Sequence, residues 1–337
     1  MQKTALITGI TGQDGAYLAD FLLTKNYSVI GLQQPSATPN TQNINHLLHH
    51  KNFKLIVCDI TDSNSIFSIL KTTQPDEIYN LAGQSHVGLS FDMPEYTTHV
   101  NAIGTLKLIE TMRILNLHNT RFYQASTSEI FGNADHSPQN ENTPLVPASP
   151  YAVAKTYAHN MVKIYRDSYG MHASCGILFN HESPIRGEEF VTRKITKTIS
   201  AIHKNEQETL TLGNLNSKRD WGHARDYVRG MWMMLQQTTP DDYVLATGQS
   251  YSVRDFVERC FEHVNIKIEW RGEGVNEIGV NCKTGKTIVT VSPEFYRPND
   301  VHTLCGDASK AKNILEWSPK ISFDNLVIEM MKSDLGG

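Results

Sequence analysis

Tyr151 and Lys155 stand four residues apart, a spacing at which the two could do chemistry together. On a helix they share a face about one turn apart. A lysine ammonium next to a phenol favours the phenolate, which makes Tyr151 a candidate acid/base. A second pair, Thr127 and Glu129, lies upstream and is two residues apart. If that backbone stays extended, both side chains point to the same side. Taken alone, an ordinary helix with an exposed Tyr and Lys accounts for the first pair. A polar surface loop accounts for the second. The elements around them decide.

Pro150 suits the first turn of a helix because its φ is fixed. Ala152, Val153, Ala154, Ala158, Met161 and Val162 then supply an apolar face at helical spacing. At the other end of the sequence a short apolar run, Thr4–Thr8, leads into Gly9, Gly12 and Gly15, with Thr11, Gln13 and Asp14 between them. Tyr17, Leu18, Phe21 and Leu22 continue as a helical pattern. A strand that turns through spaced glycines into a helix is the context of a dinucleotide phosphate site, although the spacing is G-x-x-G-x-x-G. Glycine lets backbone approach the pyrophosphate, and the helix N-terminus offers N–H groups and a positive dipole.

Further strands are expected at 27–32, 53–59, 77–83, 122–126 and 172–179, with helices at 63–72 and 97–117 between them. Such alternation implies an α/β fold, a Rossmann-like doubly wound parallel sheet with ligands outside the strand C-termini. Gly83, Glu129 and Asn180 fall at those ends. After Asn180 the alternation stops, and a smaller mixed α+β substrate-binding subdomain is expected. The division reads as 1–180 plus about 218–250 for the dinucleotide-binding part, with 181–217 plus 251–337 forming the interleaved cap. The run from Gly279 to Thr287 is one residue too long between its glycines for a phosphate-binding P-loop, and reads as loop and strand.

Composition narrows the classes. With 337 residues, 39% hydrophobic and 20% charged, the chain suits one large core and a smaller one. A net charge of −4 gives no electrostatic reason to expect nucleic acid. No apolar stretch approaches the ~18 residues of a membrane helix, and the run at Thr4–Thr8 is too short for a signal peptide. Five scattered cysteines without a C-x-x-C suit free thiols in a reducing cytoplasm, so a cytoplasmic protein is expected. His49 and His50 are adjacent and cannot share a helix face, so no metal site is read there with His46.

At this point the chain resembles the extended short-chain dehydrogenase/reductase family, and within it the nucleotide-sugar 4,6-dehydratases. The likeness runs in order through residues 7–15, 80–87, 124–129, 149–155, 177–184, 190–195, 218–227 and 296–298, nearly the whole chain. Its most specific blocks are N-H-E-S-P at 180–184 and K-R-D-W-G-H-A at 218–224. The resemblance implies that Gly9, Thr11, Gly12, Gln13, Asp14 and Gly15 hold a cofactor pyrophosphate. Asp59 and Ile60 would lie near the adenine; Leu81, Ala82, Gly83 and Ser85 would line the nicotinamide side. Tyr96, His181 and Arg186 are implied as further cofactor contacts. Asn180, Arg193, Lys194, Arg219 and Arg297, with Ser85, would hold a GDP-sugar, because an arginine fork suits a diphosphate.

The implied chemistry is oxidation at C4, loss of water across C5 and C6, and hydride return to C6, on GDP-mannose. Tyr151 would take the C4 hydroxyl proton. Lys155 would hold the ribose and lower the Tyr151 pKa. Thr127 would bind the C4 oxygen, and Glu129 would move the C5 proton. Related epimerases carry a small residue in place of Glu129, so Glu129 argues against an epimerase or reductase. The intact Tyr151, Lys155 and Glu129 argue against a non-catalytic dinucleotide sensor. The resemblance also implies NADP and a homo-oligomer, dimer or tetramer. Gln33, Gln34 and Pro35 replace the basic cluster that usually holds the 2′-phosphate, so NAD stays open. Gly83 and Gly88, smaller than the alanines expected, suggest a wider sugar pocket and a GDP-manno-heptose as an alternative substrate.

Overall fold

The structure is a computed structural model that describes residues 2–296, 301 and 303–336. Its first half alternates strand and helix: β1 Thr4–Thr8, α1 Gln13–Thr24, β2 Ser28–Gln33, β3 Phe53–Val57, α2 Ser63–Thr73 and β4 Glu77–Asn80. There follow α3 Leu89–Asp92, α4 Pro94–Thr98, α5 Gly104–Ile114, β5 Arg121–Thr127, α6 Pro150–Tyr169 and β6 Ala173–Leu178. The expected single helix at 97–117 starts earlier and is interrupted, because a π-helical turn at His99–Ile103 joins α4 to α5.

The second half comprises β7 Asn180–Glu182, α7 Val191–His203, β8 Leu210–Leu212, β9 Lys218–Arg219, β10 Trp221–His223, α8 Ala224–Gln236, β11 Tyr243–Leu245 and β12 Tyr251–Ser252. It ends with α9 Val253–His263, β13 Ile268–Arg271, β14 Ile278–Asn281, β15 Thr287–Val291, α10 Ser309–Leu315 and α11 Phe323–Leu335. The run at Gly279 to Thr287 is the β14–β15 hairpin, as loop and strand required.

Seven parallel strands form the large sheet in the order β11-β6-β5-β4-β1-β2-β3. The order reverses between β1 and β4, so a crevice opens there beyond the strand C-termini. Central strands are apolar on both faces: Ala5, Leu6 and Ile7 of β1 are fully buried. That is the pattern of a sheet covered by helices on both sides. The Rossmann-like fold is therefore present.

A second apolar core lies apart from the sheet. It joins Ile195 and Ile199 of α7, Phe256 and Phe261 of α9, and Leu326 and Met330 of α11, with Leu210 and Val289 from the four-stranded sheet β13-β14-β15-β8. Between α9 and α11 the chain returns to the large sheet. Ala311 and Leu315 of α10, and Trp317 after it, pack into the main core with α8 and β11. Trp317 Nε1 donates to the Asp226 carbonyl at 2.8 Å, anchoring that excursion. No helix among the described residues is long and apolar enough to cross a membrane, and all five cysteines are unpaired.

Candidate active site

Helix α6 is built to start where it does. Ser149 accepts the Ala152 amide proton, Pro150 fills the first turn, and Gly170 closes the helix in the left-handed region at φ 64. Its buried face is Tyr151, Ala154, Lys155, Ala158, Val162 and Tyr165. Val153, expected on that face, is 56% exposed. Tyr151 and Lys155 therefore do share a face, and it is the buried one.

The expectation for Thr127 and Glu129 needs correction. The strand does not stay extended past Thr127; Ser128–Phe131 is a 3-10 turn. Thr127 caps that turn by accepting the Glu129 amide proton at 3.3 Å. Both side chains are buried, at 9% and 8% exposure. Among the described residues nothing donates a hydrogen bond to the Glu129 carboxylate. A turn rather than an extended strand brings the pair to the cleft.

The glycine turn rests against the end of β4. A Cβ on Gly9, whose φ is +67, would lie 2.8 Å from the Ala82 nitrogen. Thr8 fixes the same junction: its hydroxyl accepts from Leu81 and Ala82 amides at 3.0 and 2.9 Å and donates to Asn80 at 2.7 Å. Helix α1 begins at Gly12 with no side chain capping it. Its first N–H groups are thus left for a ligand.

One cleft of about 1650 Å³ collects these parts. That exceeds the several hundred Å³ usual for one small ligand and suits two bound together. Every candidate catalytic or binding residue named from the sequence lines it, except Arg297, which lies outside the described residues. Asp59 caps the turn after β3 by accepting from the Thr61 amide and hydroxyl, both at 2.8 Å. Tyr96 accepts from Gln34 Nε2 at 3.4 Å. Ser85 is exposed on the cleft wall, whereas Ile60 is buried. Asn180 Oδ1 is buried without a hydrogen-bond partner among the described residues.

Electrostatics depart from the sequence reading at Tyr151. Burial pushes its phenol up to about 12; the Thr127 side chain pulls it down, while the Glu129 charge raises it. Lys155 is not among the groups that dominate this shift: its Nζ is 5.9 Å from the Tyr151 ring centre and donates to the Ala125 carbonyl at 3.1 Å. Burial lowers the Lys155 pKa itself to about 8.

The basic residues are tethered in different ways. Arg186 pairs with Glu182 at 3.1 Å and stacks 3.5 Å over Phe190. Arg193 pairs with Asp334 of α11 at 2.8 Å. Arg219 donates to the Val301 carbonyl at 2.8 Å. Lys194 Nζ sits 3.5 Å over the Phe295 ring, and burial lowers its pKa.

No local sequence signal marks Asn101, which clamps the loop after β4. Its amide accepts from the Gln84 N–H and donates to the Gln84 carbonyl, both at 2.9 Å. It also removes the basis for a wider sugar pocket. A Cβ on Gly83 would lie 2.8 Å from Asn101 Oδ1, and one on Gly88 would lie 3.1 Å from His86. The space those glycines release is filled by neighbouring side chains.

Two solved structures with this fold are named for enzymes of nucleotide sugars. The chain superposes on dTDP-glucose 4,6-dehydratase of Bacillus anthracis, in complex with NAD, with TM-score 0.81 at 20% identity over 98% of this chain and 96% of that one. It superposes on the UDP-glucose 4-epimerase of Thermus thermophilus with TM-score 0.82 at 21% identity, over 99% of both chains. The Rossmann-like doubly wound fold is thus shared with both of these enzymes.

Sequence comparison goes further. The model of the GDP-mannose 4,6 dehydratase family matches residues 6–330. The chain is 56% identical to the GDP-mannose 4,6-dehydratase of Sinorhizobium fredii, over 99% of this chain and 97% of that protein. It is 54% identical to the Drosophila melanogaster enzyme, over 99% of this chain and 86% of that protein. The chain belongs to the GDP-mannose 4,6-dehydratase family.

Proposed function

We propose that this chain dehydrates GDP-mannose to GDP-4-keto-6-deoxymannose, with Glu129 as the group that moves the C5 proton. The observation that carries the reading is the buried Glu129 carboxylate, set beside Thr127 and Tyr151 in one cleft and free of other partners among the described residues. Family membership supplies the GDP-sugar.

The cleft fits a nicotinamide dinucleotide: the glycine turn leaves no room for a side chain at Gly9, and the uncapped start of α1 faces the space. When bound, the nicotinamide supplies reversible hydride acceptance and donation. Tyr151 takes the proton of the C4 hydroxyl as a phenolate, the form that its Thr127 hydrogen bond favours and that the positive charge of an oxidised nicotinamide would favour further, and the Thr127 hydroxyl holds the resulting oxygen. A C4 ketone acidifies the neighbouring C5 proton, which Glu129 removes while the C6 hydroxyl leaves as water with the proton that Tyr151 took; Glu129 then returns its own proton to C5. Lys155 holds the ribose. Asn180, Arg193, Lys194 and Arg219 hold the sugar nucleotide on the opposite wall.

The finer identity of the cofactor turns on the β2 end of the cleft. Leu32, Gln34, Asn40, Gln42 and Asn43 line it, and all are neutral. A 2′-phosphate would meet amides there instead of a guanidinium. We therefore read NAD as taken at least as readily as NADP, which the resemblance implies. Val153, Tyr157 and Ile164 leave exposed apolar side chains along α6, in keeping with a homo-oligomer.

The test is incubation with GDP-mannose and substoichiometric NAD or NADP, read by mass spectrometry. The expected product has lost one water with no reductant added. A product of unchanged mass would replace the dehydratase reading with an epimerase. Faster turnover of GDP-manno-heptose would move the substrate.

A further inference from the structure

His181 and Asp14 form a pair whose hydrogen bonds define its charge. His181 Nδ1 faces the Phe179 carbonyl at 2.8 Å, and Nε2 faces Asp14 Oδ2 at 2.7 Å. A carbonyl only accepts, so Nδ1 carries a proton. The remaining proton lies between Nε2 and the carboxylate. Gln13 Nε2 donates to the other Asp14 oxygen at 3.1 Å, which favours a carboxylate. Imidazole is ordinarily the stronger base by more than two pH units, at about 6.5 against about 3.9.

The pair also spans a boundary. Asp14 lies in the first turn of α1, beside the glycine turn; His181 lies on β7, between Asn180 and the chain into the smaller core. Gln13 reinforces the crossing by donating to the His181 carbonyl at 3.1 Å and accepting from Ser183 Oγ at 2.7 Å. Tyr227 of α8 stacks on the imidazole at 4.6 Å, holding the ring plane.

We propose that Asp14 is a positioning residue that holds His181 as an imidazolium and locks the sugar-side strand β7 to the cofactor-side helix α1. This differs from the pyrophosphate-holding role implied by resemblance. A carboxylate engaged by an imidazolium and an amide is a poor partner for a second anion, whereas its cation leaves the local charge balanced. The other charged groups facing His181 are Arg186 and Glu182, themselves paired at 3.1 Å; Tyr227 stays a neutral phenol. Burial opposes the charged ring, but the Asp14 carboxylate raises the His181 pKa above the ordinary value. Burial likewise opposes the Asp14 charge, and His181 holds its pKa below the usual carboxylate range.

The charge state is read without substrate, so its failure is separable from that of the proposed dehydratase activity. Histidine ring nitrogens labelled with 15N are followed from pH 6 to 8.5 in the wild-type protein, assigned against His181→Gln. The expected His181 signal keeps both nitrogens protonated through pH 8. A signal that loses a proton below pH 7 overturns the proposal. In Asp14→Asn the ring becomes neutral above pH 7. NAD affinity, measured by fluorescence titration, then gains a pH dependence that wild type lacks, on the order of a further tenfold tightening at pH 6 relative to 8.5, over and above the change that Lys155 titration gives both proteins. An Asp14→Asn profile parallel to that of wild type also overturns it.

Discussion

The two walls of the cleft are made differently. The wall formed by the large sheet comes from consecutive strand ends: the turn at Gly9, the loop from Leu81, the 3-10 turn at Thr127 and the start of α6. The facing wall is assembled from β7, the start of α7, β9 and the segment near Phe295, which lie far apart in sequence. Chemistry follows the division. Thr127, Glu129, Tyr151 and Lys155 belong to the first wall; Arg186, Arg193, Lys194 and Arg219 belong to the second. The proposed reacting groups thus sit at strand ends of the large sheet, and the proposed anion-binding groups sit on segments around the second core. The second wall holds its arginines with carboxylates of its own, such as Glu182 and Asp334.

Glu129→Gln breaks the comparison hardest, because it removes one function of the sheet wall and spares the rest. The amide fills the same volume but cannot take the C5 proton. Dehydration should fall by roughly 10²–10⁴-fold, the usual worth of a general base. Oxidation at C4 should persist and appear as reduced-cofactor absorbance after GDP-mannose is added. Normal dehydration by this variant would remove Glu129 from the mechanism.

A smaller effect sharpens the charge division. Gln34 lies on the sheet wall at its cation-free end, next to Tyr96. Gln34→Arg places a guanidinium where a 2′-phosphate would lie, and an added charge-assisted contact is worth about 1.5–3 kcal/mol. Binding of NADP should tighten by about tenfold or more relative to NAD, measured by titration without substrate. A wild-type protein that already prefers NADP strongly would show that some other group meets the phosphate.

Sequence and structure agree unevenly across the two walls, for a physical reason. β1, the glycine turn and α1 are contiguous, and each leaves a local signature in apolar runs, glycines and helical spacing. Tyr151 and Lys155 were likewise set by the period of one helix. What depends on contact between distant segments left no local trace. Asn101 reaches back to Gln84, Arg193 reaches Asp334, and α10 returns to the large sheet through Trp317. Even Thr127 and Glu129 were placed together through the wrong geometry, since spacing alone does not tell an extended strand end from a capped turn. The charge state of Tyr151 was illegible for the same cause: burial, a property of the whole fold, outweighs the neighbouring lysine.

Lys155 gives the smallest effect and the one most specific to the sheet wall's rigidity. It is 5% exposed, and its one recorded hydrogen bond is to the Ala125 carbonyl. Burial holds its pKa near 8, against 10.5 for an unburied lysine. The sign follows from proton binding: between those two values the unfolded chain holds more protons on this residue, so its contribution to stability rises with pH there. Below pH 8 the full cost of burying the charge is present. Lys155→Met removes that cost, on the order of 1–3 kcal/mol, and should raise the melting temperature of the cofactor-free protein by roughly 1–2 °C per kcal/mol. The gain should be largest near pH 7 and shrink towards pH 10, while turnover is lost. A variant that melts below wild type at pH 7, or whose gain ignores pH, would show that Lys155 is stabilised in place by its surroundings.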